Sequence, residues 1–371
     1  MPHFSRRSIL AFSTASLLGA GAAQAQTTPA PPRDATPKYS NDFLSIGVGG
    51  RALAMGGTQV SLAQDATAGY WNPAGLLGVK TKYDAVLMHS ELFSGIVKND
   101  YAAFAMPLDE RSAIGASLIR VGVDDIPDTR TLVNEYNQIS YDRITYFSVA
   151  DYGLLLSYAR KMAAVEGLQV GANAKIIYRN VGDYADAWGF GIDAGAQYER
   201  AGWRFGLMAR DITTTFNAWS VNTEKFQPTA DTLDFIPKNS TEVTLPRFVL
   251  GVSRSFKLPG ELTALAALDL EMTTDGRRNT PVATDFVSIA PHLGAEIGYK
   301  NLLFLRGGAT NVQKITSFDN QEKWKVQPTL GVGLALSGLR LDLALSRLAI
   351  EKLGESSQAN SIMVSLGYGF K

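Results

Sequence analysis

The chain is predicted to be all-β: a transmembrane antiparallel β-barrel of about fourteen strands with an N-terminal hatch in its lumen. Three observations predict it. From Tyr83 to Phe370, about fourteen segments of roughly 8 to 13 residues alternate apolar and polar side chains with period two. These segments are about twice the roughly 5 to 6 residues of a soluble strand. The intervals between them alternate short and long, with the long ones at 122 to 150 and 213 to 243, as the turns and outer loops of such barrels do.

Trp188 to Tyr198 is the clearest segment. Trp188, Phe190, Ile192, Ala194, Ala196 and Tyr198 form one face, and Gly189, Gly191, Asp193, Gly195 and Gln197 the other. Ten steps of ~3.3 Å tilted by ~45° rise roughly 23 Å, close to the ~25 Å apolar band of an outer-membrane barrel. Its aromatic ends suit the membrane interface, where an amphipathic ring is half in lipid. Leu339, Leu341, Leu343 and Leu345 repeat the pattern against Arg340, Asp342, Ala344 and Ser346, as do Leu293, Ala295, Ile297 and Tyr299 against His292, Gly294, Glu296 and Gly298. The charged face is the one expected to turn inward. Ile362, Val364, Leu366, Tyr368 and Phe370 form an aromatic-ended last strand, from which Lys371 departs by following the aromatic. Twelve or sixteen strands would also give tolerable spacing along the stretch from 81 to 371.

Composition agrees. Charged residues make up 19% of the 371 residues, against roughly 25% in ordinary soluble domains. Lys plus Arg and Asp plus Glu each number 35, so there is no cationic field for nucleic acid. The absence of cysteine excludes thiol catalysis and thiolate zinc sites. Residues 1–25 read as a secretory signal peptide: Arg6 and Arg7, an apolar run from Ile9 to Ala23, then Ala23-Gln24-Ala25 as a small-x-small cleavage site. Residues 26–40 are a proline-rich tether, residues 41–80 the hatch, and residues 81–371 the barrel. Export through a cleaved signal places the barrel in a bacterial outer membrane, with the lipid bilayer as its first partner.

Between tether and first strand the chain is rich in glycine and alanine and cannot span a membrane. Asn72 can cap a short helix by accepting backbone N–H groups, and Pro73 has the preset φ favoured at the first helical position. A compact plug of short helices and tight turns follows. The stretch carries Phe43-Leu44-x-Ile46-Gly47, Gly50-Arg51-Ala52, Met55-Gly56-Gly57, Asp65-Ala66 and Asn72-Pro73-Ala74-Gly75. In these elements it resembles the hatch of FadL-like outer-membrane proteins, and most closely the PorV/PorQ family of type IX secretion.

That resemblance implies a fourteen-stranded barrel acting as a partner-binding component of protein secretion, with secreted or secretion-system proteins as partners. The alternative it implies is a FadL-like channel for passive uptake of hydrophobic small molecules. In either case Arg51, Met55, Gly56, Gly57, Asp65, Asn72, Pro73 and Ala74 are hatch residues, with Arg51 able to pair with Asp193, Asp269 or Glu296.

Other constellations carry less. Gly47-x-Gly49-x-x-Ala52 with Asp65 loosely fits a dinucleotide fingerprint, but no βαβ crossover follows, so no nucleotide or other cofactor is expected. His89 and His292 lack a motif that selects a serine partner, no cluster has metal-ligand spacing, and no enzyme is expected. Pro291 and Pro328 stand in strand positions where a missing N–H interrupts a ladder. Each marks a kink in the wall or a strand end. The two long loops mix charges with Tyr136, Tyr141, Tyr146, Phe147, Phe216, Trp219, Phe226 and Phe235, a composition suited to gripping partners. The inward faces read as mostly polar, which would hold an acyl chain poorly.

Overall fold

The computed structural model describes residues 40–134, 136–225, 238–316, 322–352 and 355–371. The segments read as signal peptide and tether, all but residue 40, and 226–237 of the second long loop lie outside the described residues. Among those described, fourteen antiparallel walls close into a barrel. They are β1 (Tyr83–Leu92), β2 (Val97–Pro107), β3 (Ser112–Asp128), β4 (Thr145–Lys161), β5 (Leu168–Val181) and β6 (Ala185–Arg200). Two interrupted walls follow, β7 (Trp203–Arg210 and Thr215–Val221) and β8 (Ser240–Thr244 and Arg247–Leu258). The last six are β9 (Leu262–Thr273), β10 (Ser288–Tyr299), β11 (Leu303–Thr316), β12 (Glu322–Leu336), β13 (Leu339–Lys352) and β14 (Glu355–Phe370). Closure is made by β1 on β14, from Tyr83 opposite Phe370 to Glu91 opposite Ile362. A closed ladder leaves no unpaired edge in the apolar band, the condition for a sheet to cross a bilayer. No described helix is long and apolar enough to cross a membrane.

Alternation has the expected sense. Trp188, Phe190 and Ile192 are exposed on the outside, while Gly189, Asp193, Gly195 and Gln197 are buried within. Leu339, Leu341, Leu343 and Leu345 of β13, and Leu293, Ile297 and Tyr299 of β10, likewise face outward.

Three features differ from the sequence reading. First, many strands are longer: β3 and β4 have 17 residues each and run past the apolar band. The first long connection is therefore 129–144 rather than 122–150, and Thr215–Val221 and Ser240–Thr244 take up much of the second. The extension was hidden because a bulge between Val123 and Ile126, with Asp125 at φ +57°, breaks the period-two pattern. Second, β7 and β8 break at the same level. Asp211 to Thr214 bulge out of β7, and Leu245-Pro246 interrupts β8 where its missing N–H cannot continue a ladder.

Third, the wall parts at two places, and each proline stands at one. The β10–β11 ladder begins only at Leu293 opposite Ala309, so Pro291 lies just beyond it. There the preceding connection fills the wedge: Val282 and Ala283 pair with Ile289 and Ser288, and Lys314 N donates to Asn279 O. The β12–β13 ladder ends at Thr329 opposite Ser346, with Pro328 one residue further on. On its other side each proline stands within a ladder, Pro291 opposite Leu270 and Pro328 opposite Ala309.

Candidate functional site: the lumen and the segment within it

Residues 40–79 pack against the inward faces of the strands. They form α1 (Gly50–Ala54), α2 (Ala68–Trp71) and two 3-10 turns, Asp42–Ser45 and Pro73–Gly78. Helices this short are marginal alone, so tertiary contacts hold them. Phe43, Leu44, Val48, Leu53, Tyr70, Trp71 and Leu76 bury themselves against Val86, Met88, Tyr101, Ile119, Leu155, Ile177 and Met363 of the wall. The inward face of β1 to β5 and β14 thus carries apolar residues among polar ones such as Asn99, Ser117 and Asn173, where a mostly polar lumen was expected. The inward Ile119 of β3 and Ile177 of β5 interrupt the alternation of their strands.

The opposite side of the lumen is polar, and it holds the segment by charge. Arg51 of α1 donates to Glu296 of β10 at 2.9 and 3.0 Å. Glu296 also accepts from Arg306, whose other bond goes to Asp342, both at 2.6 Å. Burial alone would lower the Arg51 pKa, but the Glu296 carboxylate outweighs it and raises it, so the guanidinium stays charged. Of the other two acids considered for Arg51, Asp269 accepts the backbone N–H groups of Gln59 and Val60 at 2.9 and 3.0 Å. Asp193 lies 2.7 Å from Lys175 and accepts the Asp211 N–H. Lys175 is the residue the sequence did not single out: it is buried between Asp193 and Asp211, on a strand whose pattern marks it only as inward.

The remaining motif residues lie along the same segment without converging on one point. Met55 is fully buried with Leu62, Leu265 and Ala267. Gly56 and Gly57 have φ of +66° and +83°, and a Cβ on Gly56 would stand 2.7 Å from the Leu293 carbonyl oxygen. Gly56 N donates to Thr329, which in turn donates to Ala54 O. Its own carbonyl lies 3.0 Å from His292 Nδ1. His292 is thus a contact between wall and segment, while His89 faces outward beside Asp100. Asp65 accepts from Thr67 N, and Arg340 bridges toward it at 3.8 Å and to Asp84 at 2.9 Å. Asn72 accepts Ala74 N–H at 3.2 Å with Pro73 at the first position of its turn. Its amide also donates to Val60 O, Ala196 O and Leu207 O, joining the segment to β6 and β7.

Two polar cavities between segment and wall, one against Arg51, Asp65 and Arg340 and one against Tyr70, Lys175 and Arg210, measure about 30 and 20 Å³. Each has room for single waters. Among the described residues no group of three His, Cys, Asp or Glu side chains could hold a metal ion. At the level of these contacts the segment occupies the lumen.

Fold and lumen together define a closed antiparallel β-barrel of the outer-membrane type. The chain spans 87–88% of its length, and 97–99% of theirs, against three solved structures of low identity. These are the toluene transporter TbuX of Ralstonia pickettii (14% identity, TM-score 0.52), the toluene transporter TodX of P. putida (14%, 0.55) and the CymD monoaromatic hydrocarbon channel (13%, 0.55). At such identity the likeness is one of fold. The family model described as type IX secretion system protein PorV matches residues 34–247, more than half of the sequence, and the chain belongs to that family. No curated protein sequence matches the chain significantly.

Proposed function

We propose that this protein is a partner-binding component of type IX secretion, with residues 41–80 as a structural hatch and the outer loops as the contact surface. The observation that carries this reading is the pairing of a segment fastened inside the lumen with an exposed apolar connection beyond the barrel. Bonds made by Arg51, Asp269 and Asn72 hold the hatch to the wall at three places, so a passenger would meet an occupied lumen at that level. In the connection 129–144, Tyr136, Ile139 and Tyr141 are 75%, 61% and 71% exposed. Exposed aromatics grouped on a loop are a usual basis for protein contacts.

The test is deletion of the protein, followed by complementation with a chain in which Tyr136, Ile139 and Tyr141 are serine. Deletion should trap proteins bearing a sorting C-terminal domain in the periplasm, and the triple variant should assemble normally yet fail to restore their release. Full restoration by the triple variant would remove the loop from the reading. Normal secretion in the deletion strain would remove the reading itself.

One observation favours a second reading, passive uptake of hydrophobic small molecules. The wall parts between β10 and β11 beside Pro291, next to the His292 contact with the hatch, and the connection before β10 lies in the gap. Displacing that connection would open a sideways path from the lumen into lipid for a hydrophobic solute. Lost toluene or fatty-acid uptake with normal secretion in the deletion strain would favour it.

A further inference from the structure

We infer that the lipid-facing side of β6 to β9 carries a binding groove for one membrane phospholipid, its acyl chain against Leu207 and Leu250 and its phosphate on Arg254. The groove begins on the inside of the wall. Gly206 and Gly251 are paired across β7 and β8, and a Cβ on Gly206 would meet the Val60 carbonyl oxygen at 2.3 Å. With no side chain between them, wall and hatch backbone lie in direct contact, and the outer surface behind this point is concave.

The concavity has a volume of about 400 Å³, within the ~300–1,000 Å³ of ordinary ligand sites. Leu168, Tyr198, Phe205, Leu207, Leu250 and Leu270 are among its lining residues. Nearly all of its surface is apolar, so in a bilayer it is filled by hydrocarbon.

A second observation says which hydrocarbon. The next outward residue along β8 from Val252 is Arg254, opposite Trp203 on β7. Its guanidinium lies 4.8 Å from the Trp203 ring centre and 5.3 Å from that of Phe256. Among the described residues no carboxylate lies within salt-bridge distance of it. Aromatic faces steady a cation without neutralising it, which leaves its planar donors free for an anion. A bare cation on a lipid-facing surface is costly unless it reaches the headgroups, and Arg254 lies toward the short-turn end of its strand, near Leu258. An arginine at the headgroup end of an apolar groove matches a phosphodiester joined to an acyl chain, with charge-assisted bonds fixing the head. By the expected topology the short turns face the periplasm, so the ligand is a glycerophospholipid of the inner leaflet.

Native mass spectrometry of the full-length barrel in mild detergent, titrated separately with phosphatidylglycerol and with diacylglycerol, tests this. The protein should retain one phosphatidylglycerol above the non-specific background. Arg254→Gln should weaken that adduct about tenfold, the size of one charge-assisted hydrogen bond, and leave diacylglycerol unaffected. Leu250→Trp, which fills the groove, should lower both. Leu343→Trp, outward on β13, controls for added bulk, and heat-modifiable migration shows that each variant is folded. Equal adducts in all four proteins would overturn the site. A phosphatidylglycerol loss in Arg254→Gln without any loss in Leu250→Trp would overturn the groove as the acyl site.

Discussion

Arg51 meets Glu296 through two hydrogen bonds of 2.9 and 3.0 Å, and this pair fastens the short helix α1 to the wall of the barrel. The partners are unequally placed: the Arg51 side chain is 37% exposed and that of Glu296 only 9%. Glu296 also faces Arg306, which is 4% exposed. Removing Arg51 leaves Glu296 with another cation, whereas removing Glu296 leaves Arg306 with Asp342 alone.

Arg51→Gln should therefore cost about 1 kcal/mol, in the range of a solvent-screened pair, while Glu296→Gln should cost several-fold more, toward the ~3–5 kcal/mol of a broken buried pair. Both should speed hydrogen exchange at residues 50–57 while the strands stay protected. Equal costs would mean that the Arg306 linkage contributes nothing to holding α1.

A second prediction concerns adjacent residues on opposite faces. Ile192 is 47% exposed on the outside, and arginine there should cost about 2–4 kcal/mol if the position lies near the bilayer midplane. Asp193, one residue on, is buried at 2% exposure and ion-paired with Lys175. From alternation alone Asp193→Asn looks mild. The ion pair makes it costly, and because Lys175 keeps Asp211 as a counter-charge the cost is held to about 1–3 kcal/mol. Urea unfolding of both variants in vesicles measures this, and an Asp193→Asn effect near zero would contradict the buried pair.

Two glycines, one in the segment within the lumen and one in the wall, should respond differently to a methyl group. Gly56→Ala demands a left-handed φ and places Cβ 2.7 to 2.9 Å from backbone atoms of Leu293 and Ala309. Gly307→Ala, on β11, meets the Leu330 side chain at 3.6 Å and the Thr329 carbonyl oxygen at 3.9 Å, both ordinary contacts. Loss of heat-modifiable migration or of protease resistance in the first variant, and neither in the second, is expected. Tolerance of Gly56→Ala would show that the turn can leave its conformation.

Much of the barrel was legible because one face of each strand had to meet lipid, which forces alternation at positions such as Trp188 to Tyr198 and Leu339 to Leu345. The faces follow from that requirement. Less legible was the lumen, where the rule differs by side. Ile119, Leu155 and Ile177 are inward and apolar because residues 40–79 cover them, which weakens the contrast between faces there. Asn72 with Pro73 could be read as a capped turn from local chemistry. That its amide would also reach Ala196 and Leu207 depends on contacts more than a hundred residues away. The Lys175 pairs were hidden because alternation marks that residue as inward without saying which acids it meets there.

The last prediction concerns orientation. The connections Ala201-Gly202, Pro259 to Glu261 and Ser337-Gly338 lie at one end of the strands; 129–144 lies at the other, together with the short connections 93–96 and 182–184. Barrels of this class place short turns in the periplasm and long loops outside, so an epitope within 129–144 should be stained on intact cells. One at Ser337-Gly338 should be stained only after the outer membrane is opened. Ser337 has φ +44° and Gly338 φ +95°, so the tag should be inserted after Gly338 rather than replace these residues. The reverse labelling would invert the barrel, turn the exposed aromatics of 129–144 toward the periplasm, and place Arg254 at the opposite leaflet.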